Sequence, residues 1–212
     1  MPVTGVNGNE VTVYYAFCPR HGEKPGEYLK HQRILADEIL NYGFKNCFGM
    51  EFDRRKVEKG IHGKPFWKPE KGICFNVSNT EGLVVCAVAR CEVGVDGEKV
   101  KKVRIPVVRR CCSLKEQRYI LGKDQEEMDE AAYSRFFQIW TLKESYIKMT
   151  GAGMSFPVEQ IEFDVVKKDC FGNQNGYFVQ RQTGDYWISL CTEEEAEIVW
   201  QEFRAESETA LK

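Results

Sequence analysis

Asp96 and Glu98, in the run Gly94-Val95-Asp96-Gly97-Glu98, lie two residues apart. In an extended chain that spacing puts both side chains on one side of the strand. Two carboxylates on one side are what a hard divalent cation such as Mg²⁺ recruits. The same Asp-Gly step between valine-bearing runs also signals a two-residue hairpin, so a turn is the competing reading.

A second constellation is Phe136-Phe-Gln-Ile-Trp140-Thr-Leu-Lys143-Glu144-Ser145-Tyr-Ile-Lys148. Ile139, Leu142, Tyr146 and Met149 form one helical stripe. Phe136 and Trp140 begin another, which continues through Glu144 to Lys148 at spacings of four. A helix apolar over most of its circumference is largely buried, so its carboxylate and ammonium need partners. The plainer reading is a surface Glu-Lys pair worth a few tenths of a kcal/mol. A third is the loop Gly63-Lys64-Pro65 together with Phe75-Asn76-Val77-Ser78-Asn79-Thr80-Glu81-Gly82. A lysine in a rigid turn and neutral hydrogen-bonding groups at a strand end suit a phosphorylated ligand. Taken alone, Ser-Asn-Thr-Glu-Gly is a hairpin loop.

The order Gly-Lys-Pro, Phe-Asn-x-Ser, Gly-x-Asp-x-Glu, Trp-x-x-Lys-Glu-Ser-x-x-Lys, over residues 60–155, resembles the surfactin-type 4′-phosphopantetheinyl transferases. The resemblance implies an α+β pseudo-dimer of two similar subdomains, residues 1–97 and 98–212, with the active site at their interface. It implies transfer of 4′-phosphopantetheine from coenzyme A to a serine of an apo acyl or peptidyl carrier protein, releasing adenosine 3′,5′-bisphosphate. Asp96, Glu98 and Glu144 would hold Mg²⁺, with Mn²⁺ as an alternative, against the pyrophosphate. Glu144 would be the base, directly or through water, and Lys148 would stabilise charge on the phosphate. Lys143 would add positive surroundings, and Lys64, Ser78 and Asn79 would grip the nucleotide end. Two positions depart from the family pattern. Gly97 replaces a bulky aliphatic, which weakens a strand there. Asn79 replaces a histidine and cannot carry charge, which implies weaker discrimination for the 3′-phosphate. Lys24, Lys30 and Arg33, basic residues that should meet the nucleotide, do not align cleanly. A non-catalytic module binding coenzyme A or another pyrophosphate is the alternative.

The elements that must position these residues read as strands interleaved with helices, twice over. Val11–Phe17, Ile73–Val77 and Leu83–Ala89 are strand-like, and Glu27–Tyr42 is a helix face closed by Gly43. Gly60–Lys71 reads as a loop. Ser113 with Glu116 is a capping box opening a helix to Leu121, and a second helix spans Met128–Thr150. Gln160–Val165, Tyr177–Arg181 and Tyr186–Cys191 are strand-like, with Thr192 and Glu195 capping a last helix. The basic stretch Lys99–Arg110 suits either an acidic carrier surface or a solvated strand edge.

Composition narrows the class. The 212 residues are 42% apolar and 29% charged with a net charge of −2, enough for a core and too balanced for a general nucleic-acid binder. The longest apolar run is too short for a membrane span, and the amino terminus lacks a secretory pattern. Nine cysteines without zinc-like spacing read as reduced thiols of a cytoplasmic protein. The pseudo-dimer that the resemblance implies should work as a monomer.

Overall fold

The computed structural model describes residues 10–122, 127–153, 156–167 and 175–204. The amino-terminal segment bearing on a secretory signal lies outside them. The chain is α+β, built from two main sheets, each with a long helix on its outer face.

The first sheet contains β1 (Glu10–Cys18), β4 (Cys74–Thr80), β5 (Gly82–Ala89) and β9 (Glu197–Glu202), in the order β4-β5-β1-β9. Only β1 and β9 pair in parallel; β1–β5 and β4–β5 are antiparallel. Strands β2 (Val57–Lys59) and β3 (Pro65–Trp67) form a separate small ribbon, so the Gly60–Lys71 region is partly strand. The second sheet contains β6 (Val93–Lys99), β7 (Tyr177–Thr183) and β8 (Tyr186–Thr192), antiparallel in the order β6-β8-β7.

Period-two alternation sorts the side chains. Tyr14, Ala16, Val84 and Cys86 pack with Leu35, Ile39 and Phe44 of α1 (Pro25–Phe48). The opposite-facing Val11, Val13, Leu83 and Val85 meet Val93, Val95, Ile188 and Leu190 of the second sheet. The outer face of that sheet is covered by α2 (Ile105–Cys111), α3 (Leu114–Leu121) and α4 (Glu130–Thr150), with Phe136, Ile139 and Leu142 in the core. The order of layers is therefore helix, sheet, sheet, helix.

Local chemistry sets the helix ends. Pro25 opens α1 with a preset φ, and Gly49 closes it at φ 70°. The stop expected at Gly43 is a correction: Gly43 is buried inside the helix, where a side chain would strike the Tyr14 ring. Asp129 caps α4 by accepting from Ala132 N at 2.7 Å, and Gly151 ends it at φ 67°. The capping box at Ser113 and Glu116 forms as expected.

Four other expectations change. Residues 93–99 form one continuous strand through Asp96-Gly97, which removes the hairpin reading there. Gln160–Val165 runs between two 3₁₀ turns, Val158–Gln160 and Val165–Lys167, in place of a ladder strand, although Ile161 and Phe163 are buried. The segment after Thr192 becomes β9 and no helix, because Ile198 and Trp200, two apart, pack into the inter-sheet core. The basic stretch leaves β6 at Lys99 and enters α2, so it is not a strand edge.

Candidate active site

Strand β6 is an edge of the second sheet, and its outward backbone groups need partners. Side chains of β4 supply them. Val95 N donates to Asn76 Oδ1 at 3.0 Å and Gly97 N to Ser78 Oγ at 3.2 Å. The same face of β4 meets the acidic face of β6. Ser78 Oγ donates to Asp96 Oδ1 at 2.9 Å, and Thr80 Oγ1 to Glu98 Oε2 at 3.0 Å. Alternate hydroxyls on one strand thus answer alternate carboxylates on the next.

Helix α4 closes the third side. Its approach depends on Gly94, where a Cβ would run into Ser145 O and the backbone nitrogen of Met149. Two residues along β6, Lys148 Nζ donates to Asp96 Oδ1 at 2.6 Å, Ser78 Oγ at 3.0 Å and Val95 O at 3.1 Å. These three bonds match the three hydrogens of an ammonium group. Glu144 lies one turn earlier on the same helical face.

Two cavities flank this cluster and share Val77, Glu144, Ile147 and Lys148. The larger, about 860 Å³, is also lined by Ser78, Asn79, Asp96, Glu98, Arg110 and Trp140. The smaller, about 270 Å³, is lined by the His62–Pro65 loop, Asn76 and Gly151. Burial, then the charge of Asp96, raises the carboxyl of Glu98 above the usual range. Burial, again followed by Asp96, raises Glu144, while Lys148 pulls it back down.

Among the described residues no three acidic, histidine or cysteine side chains converge on a ready-made metal cage. The donor set nevertheless fits a hard cation. Asp96 is only 4% exposed, and its Oδ2 is buried without a hydrogen-bond partner. Such an oxygen is costly unless a ligand satisfies it. Glu98 and Glu144 are both destabilised as anions by Asp96, a repulsion that a cation would relieve.

Not every expected residue joins the cluster. Lys143 is wholly buried on another face of α4, bound to Glu116 Oε2 at 2.6 Å and to Cys111 O at 2.8 Å. Its charge is neutralised there, which corrects its assignment to the surroundings of the phosphate. Ser78 stands among the carboxylates, with its hydroxyl hydrogen and both lone pairs engaged. Lys64 lines the smaller cavity, but its ammonium pairs with Glu92 and donates to Met149 O at 2.6 Å. It therefore ties the loop to the carboxyl end of α4. Asn79 lines the larger cavity and donates to Gln32 Oε1 at 3.4 Å. Lys24, Lys30 and Arg33 sit exposed at the start of α1.

Sequence reasoning overlooked Asn76, Thr80, Arg110 and Glu116 in these roles. Period two from Ser78 marks Asn76 and Thr80 as its same-face neighbours. For Glu116 the capping box hid a second use: its Oε1 accepts from Phe163 N at 2.9 Å while Oε2 holds Lys143.

A family model described as the 4′-phosphopantetheinyl transferase superfamily matches residues 92–198. The chain belongs to that superfamily. The matched span contains β6, α4 and therefore Asp96, Glu98, Glu144 and Lys148. Among curated relatives, the 4′-phosphopantetheinyl transferase gsp of Aneurinibacillus migulanus is 35% identical over 139 residues, covering 66% of this chain and 52% of its own. The 4′-phosphopantetheinyl transferase Sfp of Bacillus subtilis (strain 168) is 27% identical over 129 residues, 61% of this chain and 56% of its own. The 4′-phosphopantetheinyl transferase HetI of Nostoc is 32% identical over 120 residues, covering 53% and 46%. The chain spans about half the length of these relatives. Its eight described cysteines are free thiols, and no described helix is long and apolar enough to cross a membrane.

Proposed function

We propose that this protein is a Mg²⁺-dependent transferase that moves 4′-phosphopantetheine from coenzyme A to a serine of an apo carrier protein. Membership of the superfamily supports the reaction class. The observation that carries the reading is the single cavity lined by Asp96, Glu98, Glu144 and Lys148.

Phosphoryl transfer depends mainly on positioning and on neutralising charge as it develops. Glu144 takes the proton of the carrier serine, directly or through one water. The serine oxygen forms a bond to the phosphorus that carries pantetheine. The bond from that phosphorus to the bridging oxygen breaks, and adenosine 3′,5′-bisphosphate leaves with the electron pair. Glu144 lines the cleft on the same helical face as Lys148, which places its carboxylate for this proton. Lys148 is held at the cleft by three hydrogen bonds, and one of them must open for its ammonium to donate to the phosphate. Mg²⁺, held by Asp96, Glu98 and Glu144, would neutralise the pyrophosphate and its leaving oxygen.

The His62–Pro65 loop and its smaller cavity suit the nucleotide end of coenzyme A. For Lys64 to hold a phosphate, that anion must displace Glu92 as its partner. Asn79 contributes a neutral donor on the larger cavity instead. The two sheet-and-helix layers support a pseudo-dimer working as a cytoplasmic monomer, but a division into residues 1–97 and 98–212 cuts β6, and β9 crosses back to the first sheet. The test is chromatographic detection of adenosine 3′,5′-bisphosphate from coenzyme A and Mg²⁺, with and without an apo carrier protein. Carrier-dependent release is the expected result. Coenzyme A binding without release across several carriers would leave a non-catalytic binding module.

A further inference from the structure

The turn joining β4 to β5 is held far more firmly than a short hairpin needs, and it bears directly on Glu98. Thr80 O accepts from Gln32 Nε2 at 2.6 Å, and Gly82 N donates to Tyr28 Oη at 2.7 Å. Glu81 O accepts from Tyr186 Oη at 3.1 Å. Three successive residues are therefore fixed by three side chains, two from α1 and one from β8.

The two anchors on α1 are themselves fixed. Tyr28 Oη donates to Cys18 O at 2.7 Å and accepts from Gln32 Nε2 at 3.3 Å. Gln32 is 2% exposed, an amide buried in an otherwise apolar helix face. Burying it is unfavourable without hydrogen bonds, and the bonds it makes go to Tyr28, Asn79 and Thr80.

Only one residue of this turn points its side chain at the acidic face of β6. Thr80 Oγ1 donates to Glu98 Oε2, the same oxygen that Lys101 approaches at 3.6 Å. Both contacts fall on Oε2, leaving Oε1 to turn toward a ligand. Glu98 lies one residue before the end of β6, where the strand passes from buried to half-buried. Without the hydroxyl, a glutamate there would sample several rotamers.

We infer that Thr80 is a positioning residue that orients Glu98 for the divalent cation, with Gln32 and Tyr28 holding Thr80 in place from α1. The inference rests on the metal reading proposed above. Partners behind a ligating carboxylate raise metal affinity by fixing its direction, commonly by about 10-fold or more. The arrangement also makes α1, far from the acidic motif in sequence, part of the metal site.

The test is a Mn²⁺ titration followed by electron paramagnetic resonance, on the whole 212-residue chain with coenzyme A, together with thermal melts. Wild type, Thr80→Val and Thr80→Ser are compared. Valine keeps the β-branched shape of the strand residue, and serine restores the hydroxyl. The expected result is Mn²⁺ affinity about 10-fold weaker in Thr80→Val. Thr80→Ser should recover most of it, and both melting midpoints should stay close to wild type. Equal affinity in wild type and Thr80→Val would overturn the inference. So would a loss that follows a lowered melting midpoint and is not rescued by serine, since that is a structural role. Wild type failing to bind Mn²⁺ would overturn the metal reading itself, an outcome seen before any variant is examined.

Discussion

Lys148 Nζ lies 2.6 Å from Asp96 Oδ1, across the junction between α4 and β6. The ammonium therefore sits on the carboxylate proposed to meet the cation, on Oδ1 and not on the unpartnered Oδ2, so the two positive groups share one carboxylate. Lys148→Met should lower turnover by about 100-fold, because it removes a charge aimed at the transition state. It should leave Mn²⁺ affinity equal to wild type or tighter. A parallel loss of affinity and turnover, measured by titration and steady-state kinetics, would contradict the assignment.

Gly94 and Gly97 belong to one motif but face opposite ways. A Cβ at Gly94 meets the α4 backbone, which cannot move aside as a flexible side chain would. A Cβ at Gly97 meets Val85 Cγ2 at 3.0 Å and Leu83 Cδ2 at 3.3 Å. Gly94→Ala should therefore cost more stability than Gly97→Ala, and should lower activity as β6 and α4 separate. Gly97→Val should cost about 1–3 kcal/mol by overpacking, partly relieved by Val85→Ala. Urea denaturation of the single and double variants checks both statements.

The pair Glu116–Lys143 is wholly buried, with Oε2 and Nζ 2.6 Å apart. Burial raises the Glu116 carboxyl, and Lys143 opposes that shift. Glu116→Gln leaves a buried ammonium without its counter-charge and should destabilise the fold by about 3–5 kcal/mol. The double variant Glu116→Gln, Lys143→Met should recover much of that loss, as read by denaturant midpoints. No recovery would point to the bonds with Ser113 N and Phe163 N as the larger contribution.

Glu98 and Glu144 predict a pH dependence of folding. Both carboxyls are raised above the ordinary value of 4.5, first by burial and then by Asp96. The folded protein holds their protons more tightly than the unfolded chain. Their contribution to stability is therefore full below the unfolded value and falls as pH rises through the folded values. In chelator, wild type should lose stability relative to Glu144→Gln between pH 5 and pH 8, and Mg²⁺ should remove that loss. A difference that grows in favour of wild type without Mg²⁺ would reverse the sign. Melting curves at the two pH values decide it.

The long elements were legible because their burial follows a simple period. Leu83–Ala89 is apolar on both faces, and it lies with a core on either side. Glu144 and Lys148 share a face because four residues make one turn. Short or conditional signals misled. Gly43 resembles a cap only until Tyr14 is seen against it, and Ile198 and Trp200 are too few to outweigh an apparent cap at Thr192. Spacing placed Asp96 and Glu98 on one side of a strand but did not reveal their partners on β4, which lie 18 residues earlier. Lys143 was misplaced because its neighbours in sequence are site residues, while its own direction on the helix leads to Glu116.

The most direct measurement is the intact mass of an apo carrier protein after incubation with coenzyme A, Mg²⁺ and either wild type or Glu144→Gln. The expected result is a gain of one phosphopantetheine with wild type, abolished by chelator and by the substitution. An unchanged carrier mass with wild type, across several carriers, would contradict it, as would an equal gain with Glu144→Gln.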